Sequence, residues 1–395
     1  MVQLLDHIRS VLVSLLSYEF QTPLSTIQVA VETLADGDTM PAQAQRSVLD
    51  LALAELKQLC EAVEGFLAYA NQLWSNTLDF VQCRSDPATS AYLDSIFTAL
   101  PEVLAGYQPW MAAARQRLMP FLAEMESGVN VTADPVAPEQ IWLVDQAKRD
   151  VLAIVNHELR TPLTTLQVCL ETLQVEEEPH MEDRQALLSI ASGDLKRLCV
   201  LVQDLELLCR LETGQICFKT EPVDLRATLQ ATLSSVLRQT SDEGAANVWV
   251  ESAAQLSSVW ADGDRLMDVL KRLLENACRF TAPTGEVKVN AQITRVTAGK
   301  SDGKPAEAAA TLKICVADTG RGISADQLVR VFDCFHQEEG YLQRTTGGMG
   351  IGLTICRHLI EGMGGQIWAE SAGKQQGSRF CFMLPVHRQA EEWVR

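Results

Sequence analysis

"NHELRTPLTTLQVCLETL" occupies residues 156–173, and nearly the same segment, "SYEFQTPLSTIQVAVETL", occupies residues 17–34. The offset between the copies is 139 residues, and it also relates "LKQLC" at 56–60 to "LKRLC" at 195–199. Because a helix and its return segment are both repeated, the repeated unit is predicted to be a helical hairpin. The two copies differ at one position of obvious chemical interest, where Tyr18 stands in the first and His157 in the second.

Apolar residues in the second copy recur at intervals of three and four, which is typical of an amphipathic helix. His157 lies almost opposite the centre of this stripe and is therefore predicted to face solvent. The return helix has a matching stripe, and two helices make a thin core. We therefore expect a homodimer in which two hairpins form a four-helix bundle. The predicted core positions are Leu152, Val155, Leu159, Leu163, Leu166, Leu170 and Leu173 on one helix, and Leu188, Ala191, Leu195, Leu198, Val202 and Leu205 on the other.

The residues around His157 suggest chemistry. An exposed neutral imidazole is a nucleophile near physiological pH. Glu158 can take the ring proton or orient the ring, and Thr161 lies one turn further along the same face. Pro162 lacks an amide donor and is predicted to loosen the helix locally. We predict a catalytic group of His157, Glu158 and Thr161; the plainer alternative, a core histidine, is disfavoured by the position of His157 on the helix.

From Phe218 onward the pattern changes to segments in which apolar and polar residues alternate, as in β-strands. Helical segments separate them, which predicts an α+β sandwich, a sheet covered on one face by helices. A polar stretch, "TAGKSDGKPAEAAA", is predicted to be a surface loop. The predicted strands are "VWVES", "GEVKVNAQITRV", "TLKICVAD" and "SRFCFMLP".

Two stretches of this second half suggest a nucleotide pocket. "LLENACRFT" has Asn276 and Arg279 about one helical turn apart, an oxygen ligand for Mg²⁺ and a permanent charge for phosphate. "VADTGRGI" ends a strand at Asp318, whose carboxylate could accept a hydrogen bond from the exocyclic amine of adenine. Gly320 and Gly322 follow and would let the backbone approach the ring.

A glycine-rich stretch, "TTGGMGIGLTICRHL", precedes a predicted helix whose N-terminal amides suit phosphates. Its spacing is not the dinucleotide fingerprint. Upstream, Arg344 is close enough in sequence to reach a terminal phosphate from a flexible lid. Each stretch alone could be an ordinary turn or helix surface; together and in this order they predict a binding site. The glycines concerned are Gly347, Gly348, Gly350 and Gly352.

From about Gln146 to Pro385 the chain resembles a two-component sensor histidine kinase. "HELRTPL" resembles the H box of that family, "LLENACRFT" the N box, "DTGRGI" the G1 box, "FDCFHQ" the F box and "GGMGIGLTI" the G2 box, and "GGQIWAES" resembles its closing strand region. Five boxes in the family's order make the resemblance specific.

The resemblance implies a dimeric four-helix bundle followed by an ATP-binding α/β sandwich of the GHKL type, shared with Hsp90, MutL and gyrase. It also implies ATP and Mg²⁺ as cofactors and the receiver domain of a response regulator as partner. His157 matches the phosphoacceptor, Glu158 its acid/base partner, and Thr161 the position associated with dephosphorylating the regulator. In the pocket, Asn276 matches the Mg²⁺ ligand, Arg279 the usual lysine on phosphate, Asp318 the adenine contact, and Gly320, Gly322, Gly348, Gly350 and Gly352 the nucleotide loops.

The N box departs from the family pattern, because Arg272 stands where many members have a second asparagine. The replacement affects the secondary metal or water contacts that the family pattern implies. The first hairpin resembles a degenerate H-box hairpin, and we expect Tyr18 to carry no phosphate. Its stripe is expected to pair with its own copy in a second bundle or, failing that, with the Trp74 to Glu126 segment. The predicted domains are 1–73 (degenerate hairpin), 74–139 (helical or linker), 140–214 (dimerisation and phosphotransfer) and 215–388 (ATP-binding).

Composition narrows the function classes. The net charge of −18 disfavours nucleic acid and anionic membranes as partners. No apolar run approaches the roughly 18–20 residues of a membrane helix and no signal peptide is evident, so we expect a cytoplasmic protein. The eleven cysteines include no C-x-x-C pair and are expected to be reduced, mostly buried thiols.

Three functions are compatible with the sequence. A kinase that phosphorylates His157 and then a regulator aspartate accounts for every motif. A pseudokinase or phosphatase-biased module that binds nucleotide and a partner protein is the alternative, with Arg272 as its support. An Hsp90-like ATPase or scaffold would leave His157 unexplained.

Overall fold

The structure is a computed structural model that describes most of the chain. The described residues are 20–36, 40–82, 138–175, 180–212, 214–240, 247–252, 258–296, 309–337 and 349–385. The chain divides into two compact units, Met1–Thr213 and Gly214–Arg395.

The first unit is helical. Helix α1 covers residues 20–36, α2 Ala42–Gln82, α3 Pro138–Val175 and α4 Met181–Glu212. Helix α2 therefore continues nine residues beyond position 73, where the first domain was predicted to end.

The predicted apolar stripes are buried. Every core position named for the second hairpin is at most 8% exposed, apart from Leu152, whose side chain lies outside the described part. The first hairpin buries its stripe equally well, with Phe20, Leu24, Ile27, Val31 and Leu34 at 0–3% exposure.

The partner of the first hairpin differs from the prediction. Helix α2 packs against α3, and α3 against α4. Gln21 on α1 donates a 2.6 Å hydrogen bond to Glu206 on α4. The first hairpin thus packs on the second within one chain. A single chain supplies all four helices, because the duplicated stripe is complementary to the original. Tyr18 lies outside the described residues.

The second unit contains the predicted sheet. Its strands are β2 (Asn247–Ser252), β4 (Glu286–Val296), β5 (Ala309–Asp318), β6 (Gln366–Glu370) and β7 (Ser378–Pro385), in the order β2-β4-β5-β7-β6. The pair β2–β4 is parallel and the other pairs are antiparallel. A separate antiparallel pair joins β1 (Glu221–Asp224) and β3 (Ser258–Ala261).

The described part of this unit contains three helices: α5 (Leu225–Thr240), α6 (Gly263–Phe280) and α7 (Gly352–Gly362). Helix α5 packs on α6 and β1. Helix α6 packs on α5, α7 and β5, and α7 packs on β6 and β7. Asp262 caps α6 by accepting from the Arg265 amide at 3.2 Å. The helix buries one face, at Leu266, Val269, Leu270, Leu273, Leu274 and Ala277, and its opposite face is free to hold polar groups.

The cysteine prediction is wrong at one pair. Cys315 on β5 and Cys381 on β7 are register partners and form a disulfide. Sequence spacing could not reveal the pair, because it depends on how strands 66 residues apart are aligned.

Candidate functional site

His157 lies on α3 with its side chain 53% exposed, as its position opposite the stripe predicts. Its neighbours Val155 and Leu159 are 5% and 1% exposed, so packing fixes the helix while the ring projects from it. The imidazole is accessible to a second reactant.

Glu158 is the charged group next to this ring. Its Oε1 lies 3.7 Å from Nδ1 of His157, and its side chain is only 2% exposed. Its Oε2 accepts a 3.0 Å hydrogen bond from Arg197 on α4. A carboxylate removed from water is stable when charged partners compensate it, and Arg197 is one such partner. The pair fixes the Glu158 carboxylate on the Nδ1 side of the ring.

Thr161 is exposed one turn beyond His157. Its hydroxyl donates to the His157 backbone carbonyl at 3.0 Å, so its lone pairs remain as acceptors. Pro162 lies inside α3, which continues past it without a break to Val175.

Asp318 is a buried carboxylate that several hydrogen bonds fix in place. It is 9% exposed at the end of β5. Its Oδ1 accepts from the amides of Gly320 at 2.8 Å and Ser378 at 3.3 Å, and its Oδ2 accepts from the Ser378 hydroxyl. These bonds fix the orientation of the carboxylate. A fixed orientation is what a carboxylate needs in order to accept a hydrogen bond from a ligand amine.

The glycines after Asp318 are required by close packing. A Cβ on Gly320 would lie 2.2 Å from the Phe280 carbonyl, and one on Gly322 would lie 2.1 Å from the Gly373 carbonyl. Gly322 also has a φ of +68°, which other residues rarely adopt. The turn 371–377 braces this loop, since the Gly377 amide donates to Gly320 O at 3.1 Å.

The end of α6 meets the same loop. The Arg321 amide donates to Phe280 O at 3.3 Å, and the Arg321 guanidinium lies 3.9 Å from the Phe280 ring centroid. Asn276 and Arg279 lie on the last turns of α6 and are half-buried and exposed, respectively. The fold thus brings the predicted metal ligand and phosphate contact to the helix end that packs against the Asp318 loop.

The glycine-rich stretch begins α7. Gly352 is the first residue of that helix, and Ile351 before it provides no side-chain cap, so a ligand could reach the N-terminal amides. Gly350 has a φ of +75°, and a Cβ there would lie 2.6 Å from His336 O. Arg344, Gly347 and Gly348 lie outside the described residues.

The F-box segment packs behind this turn. Phe332 and Phe335 are each 6% exposed, and the Phe335 amide donates to Gly350 O at 3.1 Å. Thr354 on α7 donates from its hydroxyl to Phe332 O at 3.0 Å. The two phenylalanines are therefore packing residues.

Arg272, which replaces a second asparagine, is engaged on its own helix. Its Nε donates to Oδ1 of Asp268 at 2.9 Å, and the two side chains are 17% and 26% exposed. Its charge is thus partly neutralised one turn from Asn276.

Sequence reasoning missed the residues that support the site. Ser378 and Arg197 are 60 and 39 residues away in sequence from the carboxylates they contact. Each belongs to a regular strand or helix pattern, so no local signal identifies it. Arg321 and Phe280 were also missed, because no local pattern links a loop residue to the end of a helix far away in sequence.

No helix in the part of the chain that the structure describes has the length and apolar character needed to cross a bilayer.

Two family models match the chain. Residues 147–214 match the His Kinase A (phospho-acceptor) domain. Residues 261–388 match the histidine kinase-, DNA gyrase B- and HSP90-like ATPase family. The acceptor motif and the nucleotide motifs therefore fall in separate matched regions. The residues of the second region fit a nucleotide: Asp318 is a fixed carboxylate, Gly320, Gly322 and Gly350 have no space for a Cβ, and α7 begins without a side-chain cap.

Curated relatives agree with these matches. The signal transduction histidine-protein kinase BaeS of Escherichia coli is 32% identical over 249 residues, which are 63% of this chain and 49% of BaeS. The adaptive-response sensory kinase SasA of Thermosynechococcus vestitus is 33% identical over 251 residues, 61% of each chain. The chain spans about half to three fifths of the length of these two relatives.

Solved structures give weaker likenesses. Full-length ShkA in complex with AMPPNP is 26% identical with a TM-score of 0.43, over 59% of this chain and 45% of ShkA. The histidine kinase ThkA in complex with response regulator protein TrrA is 20% identical with a TM-score of 0.44, over 65% of this chain and 69% of the matched one.

Proposed function

Since this chain belongs to the two-component sensor histidine kinases through both of its matched domains, we propose that it phosphorylates His157 from ATP and passes the phosphoryl group to an aspartate of a response regulator. The observation that supports this most directly is the exposed His157 ring beside a buried Glu158 that Arg197 holds in position.

On this proposal the unprotonated ring of His157 attacks the γ-phosphorus through Nε2 as ADP leaves. Glu158 lies on the Nδ1 side at 3.7 Å, where it orients the ring and stabilises the positive charge that the imidazole gains. The reaction needs alignment and charge neutralisation more than covalent help from the protein.

Asp318, Asn276 and Arg279 are proposed to hold the nucleotide. Asp318 would accept from the adenine amine, and Arg279 would contact phosphate, as would Arg344. Mg²⁺ would neutralise phosphate charge, with Asn276 as its protein ligand and water and phosphate oxygens as the others. Gly320, Gly322, Gly348, Gly350 and Gly352 would line the nucleotide loops.

The proposed partner is the receiver domain of a separate response regulator. A homodimer was predicted on two grounds, the thin core of a two-helix hairpin and the family resemblance. The first ground assumed that the second hairpin lacks two helices to pack against, and the first hairpin of the same chain supplies two.

The test is incubation with Mg²⁺ and ATP labelled on the γ-phosphate. We expect acid-labile, base-stable label on His157. His157→Ala should abolish labelling and leave ATP affinity unchanged, because the pocket residues are in the other unit. Tyr18→Phe, at the matched position of the first hairpin, is the control and should label normally. Label that persists in His157→Ala would mean that another residue accepts the phosphate.

Thr161→Ala tests the role proposed for the hydroxyl. The variant should label normally but slow the loss of phosphate from the regulator, since an acceptor one turn from His157 could orient the attacking water. Equal decay of phosphorylated regulator with both proteins would remove Thr161 from that role.

A further inference from the structure

The two hairpins are equivalent in side-chain detail as well as in sequence. Gln28 donates to Glu32 at 2.9 Å, and Gln167 to Glu171 at 2.7 Å. The surface positions match too, because Val29 and its counterpart Val168 are 62% and 55% exposed. The first hairpin therefore has the same buried and exposed faces as the second.

One contact shows how the copies are related. Nη1 of Arg184, at the start of α4, donates to Oε1 of Gln45, at the start of α2, at 2.6 Å. These two residues are 139 apart, the repeat offset, so each is the counterpart of the other. A residue meets its own counterpart only close to a two-fold axis. The bundle thus has the symmetry of a homodimer but is formed by one chain.

Further contacts join the hairpins on several sides. Nη2 of Arg184 donates to Leu34 O at 3.0 Å, and Nε2 of Gln174 donates to Asp50 at 2.7 Å. With Gln21–Glu206, these bonds connect the two hairpins at both ends of α1 and at the C-terminal end of α3. The apolar stripes that would join two subunits are already covered.

The differences between the copies favour this pairing over a homodimer of second hairpins. In such a homodimer Arg184 would face Arg184 near the axis, and two guanidinium groups lack an acceptor between them. Gln174 would meet Ser189, the counterpart of Asp50, and would exchange a carboxylate acceptor for a shorter, neutral hydroxyl. Arg160 would gain Glu206 as a partner, but an exposed ion pair of this kind contributes little.

We infer that the protein is an intramolecular pseudo-dimer, in which the first hairpin takes the place of a second protomer. This inference rests on the proposed function for its kinetic consequence. A monomer has one acceptor, His157, and one ATP-binding domain, so phosphorylation occurs within the chain and one phosphoryl group is stored per bundle.

The direct test is light scattering combined with labelling of the full chain at concentrations that span a hundredfold range. We expect a mass of 43.5 kDa throughout and a first-order labelling rate constant that does not change with concentration. A mass of twice this value, or a rate constant that rises with concentration, would overturn the inference.

Exchanging the two side chains of the Gln45–Arg184 pair at the axis provides the second test. Gln45→Arg would place two arginines together and should lower the unfolding temperature. Adding Arg184→Gln restores an arginine–glutamine pair and should recover most of the loss. In a homodimer of second hairpins, Arg184→Gln alone would relieve a repulsion and stabilise the protein, and the double variant would not rescue Gln45→Arg.

The outcomes separate this inference from the proposed kinase activity. A monomer whose swap variant is rescued, but which takes no label, would retain the pseudo-dimer and refute the kinase. A dimer that takes label on His157 would support the kinase activity and refute the pseudo-dimer.

Discussion

Glu158 and Arg197 form an ion pair beside the proposed acceptor, His157. The Glu158 side chain is 2% exposed and the Arg197 side chain 44% exposed, so the carboxylate is desolvated while its cation remains in contact with water. The counterpart of Arg197 in the first hairpin is Gln58, in the copy where Tyr18 replaces the histidine. The arginine is therefore present in the copy that has the histidine.

Arg197→Gln should therefore impair the acceptor site. We expect the free energy of unfolding to fall by about 1–3 kcal/mol, because a buried carboxylate loses a charged partner, and we expect slower labelling of His157 at unchanged ATP affinity. Chemical denaturation and single-turnover labelling measure the two effects. Lys196→Gln, an exposed neighbour on α4, is the control; equal effects of both changes would contradict the role of Arg197.

The residues with chemistry of their own were predictable from sequence, but their supports were not. His157 could be identified from its position opposite a stripe, and Asp318 from its place at the end of a strand before glycines. Ser378 is the first residue of β7 and meets Asp318 only because β5 and β7 pair in a register that places the two opposite each other. That register is a property of the sheet, and no local pattern encodes it.

At the scale of elements, α1 tests whether the first hairpin is part of the core. Leu24 is 3% exposed and Val29 is 62% exposed on the same helix. Leu24→Asp should destabilise the bundle by about 4 kcal/mol or more, because an unpaired charge would be buried. Val29→Asp should change stability by less than about 0.5 kcal/mol. Thermal unfolding followed by circular dichroism distinguishes them, and two equally stable variants would mean that α1 does not pack as described.

A glycine variant at the junction between α6 and the Asp318 loop can be compared with a control variant at the start of α7. Gly320→Ala should lose about 1–3 kcal/mol, since its Cβ would meet a backbone carbonyl that cannot rotate away. Gly352→Ala should be neutral or slightly stabilising, since no atom lies within 4 Å of its Cβ. The measurement is unfolding in denaturant without nucleotide. Similar losses would show that packing at Gly320 is not the cause.

The elements themselves were largely predictable. Apolar periodicity predicted both hairpins, and alternation predicted β2, β4, β5 and β7. Strands β1 and β3 are four residues each, too short for a period to appear. The pairing of the hairpins was missed because two similar apolar stripes cannot indicate whether each packs against its own copy or against its duplicate. The polar pair Gln45–Arg184 makes that distinction only once it is seen in contact.

At the scale of the whole molecule, the Cys315–Cys381 disulfide gives a prediction. Of the eleven cysteines, the structure describes ten, this pair and eight free thiols, and Cys83 lies outside the described residues. Thiol titration in denaturant should therefore count two fewer thiols before reduction than after it. Reductant should then lower the stability of the second unit by up to about 4 kcal/mol, the chain-entropy value for a separation of 66 residues. Cys217→Ser, at an exposed free cysteine, should keep this sensitivity. Equal counts before and after reduction would show that the pair is reduced in solution.

The covalent linkage of the two hairpins also has a genetic consequence. When an acceptor bundle is assembled from separate polypeptides, a defective product can combine with a normal one and spoil it. Here every bundle is inherited whole from one translation product, so defective and normal molecules would coexist without exchange. Loss-of-function alleles of this gene would then not interfere with an intact copy, and signalling output would follow the number of intact copies.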